Sequence, residues 1–205
     1  TWWVNRQDAD GTNVFEGGFL GLDNIGPFDR SNLPPGHRLE QSDATGWMAS
    51  YAITMAAIAS ILNRHGRSTT DLVVKFLEHF ALIREAMAED GAAMCRFYAW
   101  LEAALARGER ITEITIDDKL SGERARGRDF VGLSFPVIAG FNANGAMPHY
   151  RATPESFALI EGDGLLLIDS GAQYLGGTTD ITRVWPIGRV TPAMQRDYSL
   201  VLKGM

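Results

Sequence analysis

The sequence predicts an α+β protein in which helices come first and antiparallel hairpins follow. Apolar residues recur at helical spacing from Trp47 to about Gly108, and from Phe130 the period becomes that of strands. Helices and strands are grouped and do not alternate, which argues against a parallel β-α-β sheet. The chain has no internal repeat and no low-complexity segment.

Residues 1–45 are rich in Gly, Asn, Asp and Pro, so they are expected to form long loops with short helical turns. Four helices should follow. The first, residues 47–62, is expected to be buried, with Gly66 as its C-cap. The others are expected at residues 71–87, at 94–105 with a stop near Gly108, and in a short helix that opens on a capping box of Thr115 and Asp118.

Apolar and β-branched runs predict four strands, at residues 131–141, 146–151, 165–174 and 180–187. Turn-forming residues separate them at 142–145 and at Gly176-Gly177. Thr191-Pro192 predicts a final helix, because Thr is a favourable N-cap and Pro is tolerated at the first helical position.

Composition bounds the class of protein. The chain has 205 residues, 45% of them hydrophobic and 21% charged, which suits one sizeable core or two small ones. The net charge of −6, without a basic stripe, argues against nucleic-acid binding. The single cysteine, Cys95, excludes an internal disulfide and is expected to pack as a small apolar residue.

Membrane association is not expected either. The longest apolar stretch, residues 47–62, is shorter than the roughly 20 residues of a membrane span. The sequence shows no targeting segment, and we expect a cytoplasmic protein. The oligomeric state is left open.

Two aspartates eleven residues apart are the strongest functional signal. Asp169 ends an apolar run and Asp180 opens the next, with a glycine turn between them, so neighbouring antiparallel strands are expected to carry them. A carboxylate in an apolar strand is costly unless it is compensated, and divalent cations prefer oxygen ligands. The alternative is that both aspartates cap turns or face solvent.

The sequence around these aspartates resembles that of the metallopeptidases that include aminopeptidase P and methionine aminopeptidase. The two motifs are Ile-Asp-Ser-Gly at 168–171 and Asp-Ile-Thr-Arg at 180–183. Further similar segments lie at residues 90–97, 131–136, 144–151 and 201–204. The resemblance covers residues 88–205, is closest to aminopeptidase P, and implies an incomplete pita-bread catalytic domain.

This resemblance implies a chemistry. The family holds two metal ions, usually manganese or cobalt, with two Asp, one His and two Glu, and removes an N-terminal residue that precedes proline. Asp169 would bind one ion and Asp180 would bridge both. His149 would match a non-ligand histidine that contacts substrate, although Pro148 replaces the usual branched aliphatic residue and Gly164 stands where an acidic residue is common. A hydrogen-bonded structural histidine is the alternative.

The remaining ligands have no counterpart in the sequence. Residues 181–205 contain no His and no Glu, so three of the five expected ligands are missing. We therefore expect this polypeptide to be inactive as a peptidase.

Residues 1–87 resemble a different group, the bacterial members of glycoside hydrolase family 63. The similar segments are residues 2–6, 13–26, 39–43, 47–49 and 75–80. The resemblance implies an all-α fragment of an (α/α)6 toroid in which Asp23 would be the general acid. An Asx turn at Asp23-Asn24 is the alternative.

Three functional hypotheses follow. The chain is a fragment of an Xaa-Pro aminopeptidase that recognises peptides with proline at the second position, a fragment of a family 63-like α-glycosidase, or a non-catalytic chimera. Because no exposed linker is visible near Met87, a recombined sequence is the plainer explanation of the two resemblances. In that case the parts before and after residue 87 should share no core.

Overall fold

The computed structural model describes residues 44–204 and has an α+β architecture. Three helices come first: α1 (Ala44–Arg64), α2 (Thr70–Ala106) and α3 (Glu113–Arg124). Six strands follow: β1 (Phe130–Leu133), β2 (Ile138–Phe141), β3 (Gly164–Ser170), β4 (Ala172–Tyr174), β5 (Gly177–Thr178) and β6 (Ile181–Ile187). A 3-10 helix (Asn142–Ala146) follows β2, and α4 (Pro192–Gly204) follows β6. The predicted order of elements is therefore confirmed for these residues.

The strands form two antiparallel sheets of three strands each. One sheet has the order β1-β4-β5, and the other has the order β2-β3-β6. The predicted antiparallel pairing is confirmed for β3, which carries Asp169 and pairs with β6 over seven residues from Gly164↔Ile187 to Ser170↔Ile181. Asp180 was also expected on a strand, but it lies one residue before β6.

The contacts of the backbone divide the described chain into two compact units. Unit 1 comprises residues 44–94, 124–135 and 171–180. Unit 2 comprises residues 95–123, 136–170 and 181–204. This division does not follow the predicted boundary at residue 87, because each unit draws on separate stretches of the chain.

The core of unit 1 has two described clusters. In the first, Ala52 and Ala56 of α1 pack with Phe76 of α2. In the second, Ala86 packs with Ala172 and Tyr174, so the expectation that the parts before and after residue 87 share no core is wrong at this point. Burial in unit 2 comes from the second half of α2, from α3 and from β2 and β3, with fully buried side chains at Phe97, Leu101, Ile116, Leu120, Leu166 and Ile168.

The helices differ from expectation in three ways. The predicted second and third helices are one continuous α2, since a glycine such as Gly91 costs only ~1 kcal/mol inside a helix. Helix α1 buries one alanine face while Ile53 and Ile58 stay exposed, so the prediction of a fully buried helix is wrong. Cys95 is also exposed instead of packed.

Helix α3 begins earlier than predicted. The Thr112 side chain accepts a hydrogen bond from the Thr115 N–H (3.0 Å), and the Thr115 hydroxyl accepts one from the Thr112 N–H (3.3 Å). This reciprocal arrangement makes Thr112 the N-cap and Glu113 the first helical residue. By contrast, Thr191 caps α4 as predicted, accepting a hydrogen bond from the Met194 N–H at 3.2 Å.

Two predicted strands are interrupted and one is absent. Residues 131–141 split into β1 and β2 around Pro136, because proline cannot donate a ladder hydrogen bond. Residues 165–174 split at Gly171 into β3 and β4, which belong to different sheets. The strand predicted at 146–151 does not form, since these residues continue from the 3-10 helix into a turn.

Within residues 44–204, none of the helices combines the length and the apolar character that a membrane crossing requires.

Candidate active site

Asp169 lies in unit 2, on the less buried face of β3. Burial alternates along this strand, so Leu166 and Ile168 are fully buried while Asp169 is half-buried. Thr182 stands opposite in the β3–β6 register, and its hydroxyl donates a 2.8 Å hydrogen bond to Asp169 Oδ1. Within residues 44–204 no Lys or Arg forms an ion pair with this carboxylate. The result is an oriented carboxylate whose charge no described side chain neutralises.

Asp180 lies in unit 1, one residue before β6, and is exposed. The preceding Thr179 is fully buried and holds the backbone firmly. Its N–H donates to the Ala172 carbonyl (2.8 Å), its Oγ1 accepts from the Ala172 N–H (2.9 Å), and its carbonyl accepts from the Ser134 hydroxyl (3.1 Å). The sequence does not predict this role of Thr179, because its local pattern is that of an ordinary turn residue.

Gly171 separates Asp169 from the hairpin that leads to Asp180. A Cβ at this position would overlap the Thr179 carbonyl and the Ser134 Oγ, so only glycine fits without a backbone shift. Packing within unit 1 therefore explains why the Ile-Asp-Ser-Gly motif has a glycine at this position.

His149 lies in unit 2, in the turn that follows the 3-10 helix, and its side chain is exposed. Its φ of +55° is in the left-handed region, which few residues other than glycine adopt. Such outliers persist only when the surroundings enforce them, and they cluster at functional sites. The strand predicted at 146–151, which would have carried His149, does not form, but the strained turn keeps His149 a candidate.

The turn that carries His149 is held by Glu113, a fully buried carboxylate at the start of α3. Glu113 Oε1 accepts from the Phe141 N–H (2.7 Å), and Oε2 accepts from the Tyr150 hydroxyl (2.8 Å) and the Ala158 N–H (2.7 Å). Asn144 Nδ2 donates to both oxygens, at 3.0 and 3.1 Å. Sequence reasoning missed Glu113 because it began the helix at Thr115; an acidic residue right after the Thr112 cap was the available signal.

Tyr150 shows the electrostatic effect of this carboxylate. Partial burial, followed by the hydrogen bond to Glu113 and the proximity of its charge, raises the pKa of Tyr150 to about 12. The hydroxyl is therefore a stable proton donor to Glu113 at physiological pH.

Gly164, at the start of β3, stands where an acidic residue was expected. A Cβ here would overlap the side chain of Asn142. Asn142 has a φ of +51°, and its Oδ1 accepts a 3.0 Å hydrogen bond from the Leu165 N–H. Glycine at 164 thus leaves room for an asparagine that ties the 3-10 helix to β3.

The structure gives little information on two further predictions, the metal site and the glycosidase acid. In the part of the chain that is described, no group of three or more His, Cys, Asp or Glu side chains is arranged to hold a metal ion. Asp23, the candidate acid of the glycosidase alternative, lies outside the described residues.

Comparison with known proteins decides the family. The sequence profile of metallopeptidase family M24 matches residues 81–205, more than half of the chain. The chain belongs to this family. The match begins a few residues before the predicted boundary at residue 87, so the M24 segment includes Ala86, which packs with Ala172 and Tyr174.

Relatives of the M24 segment are Xaa-Pro aminopeptidases. A probable Xaa-Pro aminopeptidase P from Tuber melanosporum is 45% identical over 116 residues, which is 57% of this chain and 19% of that protein. The crystal structure of an X-prolyl aminopeptidase from Caenorhabditis elegans, described as a cytosolic enzyme with a di-nuclear active site, has 36% identity and a TM-score of 0.58 over 62% of this chain and 21% of that one. This likeness fits the predicted α+β pita-bread fold.

A different kind of relative also matches. An uncharacterized protein of Saccharomyces cerevisiae is 57% identical over 88 residues, or 42% of this chain, and only 8% of that protein is covered. The chain thus spans about a fifth of the aminopeptidase relatives and less than a tenth of the yeast protein.

Proposed function

We propose that the M24 segment is part of a dinuclear-metal aminopeptidase that removes an N-terminal residue preceding proline. The observation that carries the proposal is the family match over residues 81–205 together with the Asp169 and Asp180 motifs inside it. The aminopeptidase relatives support the substrate class, which is a peptide with proline at the second position.

In this proposal Asp169 and Asp180 would be ligands of the metal ions. The donor set suits a divalent cation, because carboxylate oxygens are the ligands that hard metals prefer, and manganese is the ion we propose. Two features of Asp169 support its role: its charge is not paired with a described cation, and the Thr182 hydroxyl orients it. Such outer hydrogen bonds commonly fix ligand orientation in metal sites.

His149 is proposed to contact the substrate as an acid or hydrogen-bond donor. A histidine suits this work because its ordinary pKa lies near neutrality, and such a group contributes roughly 10²–10⁴-fold to a rate. When bound, the metal ions lower the pKa of the attacking water and polarise the scissile carbonyl. This chain's own residues orient Asp169, hold the backbone before Asp180 and present His149.

The metal assignment is tested by titrating Mn²⁺ into the purified chain and into three variants, with electron paramagnetic resonance reporting the free ion. Binding should be weak, and Asp169→Asn and Asp180→Asn should each weaken it further. Asp163→Asn is the matched control, because this exposed carboxylate lies just before β3 and already pairs with Arg189. Binding that is equal in all four proteins would remove the metal proposal.

We further propose that the residues before the M24 segment have a separate origin. The family match leaves out residues 1–80, and the 88-residue match to the yeast protein is of the size of the predicted 1–87 segment. In this proposal the residues before the M24 segment are a family 63-like glycosidase fragment joined to it in a chimera. The sequence motifs support this assignment, with Asp23 as the general acid. We expect the chain not to hydrolyse α-glucosides, because glycoside hydrolysis needs a second carboxyl group. Hydrolysis that is lost in Asp23→Asn would instead support a working glycosidase.

We also propose a cytoplasmic location, as part of the aminopeptidase proposal. It is supported by the C. elegans relative, which is described as cytosolic.

A further inference from the structure

Glu113 places a carboxylate where charge is expensive. Its side chain belongs to the fully buried set, and within residues 44–204 no Lys or Arg forms an ion pair with it. Its two oxygens are instead saturated by four donor groups, on Phe141, Asn144, Tyr150 and Ala158. A buried carboxylate is tolerable only when it is this completely hydrogen-bonded.

The four donors are distributed along one segment of unit 2, residues 141–158. Phe141 lies at its start and Ala158 at its end, so the carboxylate joins both ends of the segment. Asn144 belongs to the 3-10 helix, and its Nδ2 also lies 2.9 Å from the Tyr150 hydroxyl. Both ends of the segment, the 3-10 helix and the turn are therefore all hydrogen-bonded to the Glu113 carboxylate.

His149 is the neighbour of one of these donors in the chain. It is exposed and has a left-handed backbone, so its own side chain does not hold its conformation within the core. The residue that follows it, Tyr150, is fixed through its hydroxyl to Glu113 at 2.8 Å. Strain at a non-glycine residue persists only where neighbours enforce it.

We propose that Glu113 is a positioning residue for His149, holding the 141–158 segment in the one conformation that presents the imidazole to the substrate. The proposal rests on the proposed peptidase function, because His149 matters as a substrate contact only there. The charge of Glu113 is essential to this role, since only a carboxylate accepts from donors on both of its oxygens.

The substitution Glu113→Gln separates charge from size. The amide has nearly the same shape, but its NH₂ group would face N–H or O–H donors whichever way it is turned. A packing role would survive this change, whereas the anchoring role would not. Glu123→Gln is the matched control, because Glu123 lies on the same helix, is buried, and binds Arg96 and Lys119 outside the 141–158 segment.

The readout is nuclear magnetic resonance of the chain labelled with ¹³C and ¹⁵N in its four histidines, with His149 assigned from a His149→Gln variant. We expect the ¹³Cα shift of His149 to carry the left-handed signature in the unmodified chain. In Glu113→Gln this signature should be lost, while in Glu123→Gln it should stay in place even though the melting temperature falls. An unchanged His149 signal in folded Glu113→Gln would overturn the proposal.

A second variant covers the case in which Glu113→Gln does not fold. Tyr150→Phe removes one donor and leaves the ring, so the His149 signal should shift toward its unfolded value, and no shift would overturn the proposal. Neither metal nor peptide is present in this experiment. Loss of the His149 signature together with Mn²⁺ binding that ignores Asp169 and Asp180 would therefore uphold the anchoring and refute the peptidase assignment.

Discussion

Replacing Asp90 by asparagine should destabilise unit 1 more than any surface substitution in the chain. Asp90 and Arg124 are both fully buried, and the guanidinium donates through Nε to Oδ1 (2.6 Å) and through Nη2 to Oδ2 (3.1 Å). The Tyr174 hydroxyl donates to the same Oδ1 at 2.9 Å. Asp90→Asn leaves the buried guanidinium without a counter-charge and places an NH₂ group against one of these donors.

Breaking a buried ion pair by changing one partner costs about 3–5 kcal/mol. The lower part of this range is expected, because Arg124 Nη1 is buried and makes no hydrogen bond to the described residues, so the pair is imperfectly satisfied already. Removing only the tyrosine hydroxyl, with Tyr174→Phe, should cost roughly 1.5–3 kcal/mol, the value of a hydrogen bond to a charged group. The double replacement Asp90→Leu with Arg124→Met should cost less than the sum of its single changes, since apolar substitutes need no counter-charge.

The assay is urea unfolding, followed by circular dichroism, of Asp90→Asn, Tyr174→Phe, the double variant and its two single changes, with the free energy extrapolated at constant slope. Glu109→Gln is the control, because Glu109 pairs with Arg107 on the surface at 2.7 Å and should lose less than about 1 kcal/mol. If Asp90→Asn behaved like Glu109→Gln, or if the single changes simply added in the double variant, the reasoning from buried charge would be refuted.

Three other predictions follow from single positions. Stability should fall at alkaline pH through Tyr150, because its folded pKa of about 12 lies above the ordinary value of 10.0. Its contribution to stability is complete below pH 10 and is lost as the pH rises toward 12. Melting curves of Tyr150→Phe should not show this loss. Gly171→Ala should cost ~1–3 kcal/mol because its Cβ meets the Thr179 backbone, whereas Gly132→Ala, which meets nothing within 4 Å, should not, as urea unfolding would show. A polypeptide of these 205 residues should not cleave Xaa-Pro dipeptides with added Mn²⁺, and metal-dependent cleavage abolished by Asp180→Asn would contradict the expectation.

Local sequence predicted the elements whose signals lie within a few residues. The α+β order, the pairing of the strands around Asp169 and the Thr191 cap of α4 follow from periodicity and capping chemistry, which act over one or two turns. The M24 motifs likewise stand in contiguous residues, and the family match confirms the resemblance that they suggested. The roles of Asp169, Asp180 and His149 stay predictions.

Tertiary structure decided what depends on distant residues. Position 171 requires glycine because the Thr179 carbonyl and the Ser134 side chain occupy the space beside it, and no local pattern shows that contact. Residues 146–151 have the composition of a strand, yet the buried Glu113, far back in the chain, gathers their neighbourhood into a turn. Periodicity reports which residues seek burial, whereas a hydrogen-bonded charge in the core is fixed only when all of its donors have been brought together.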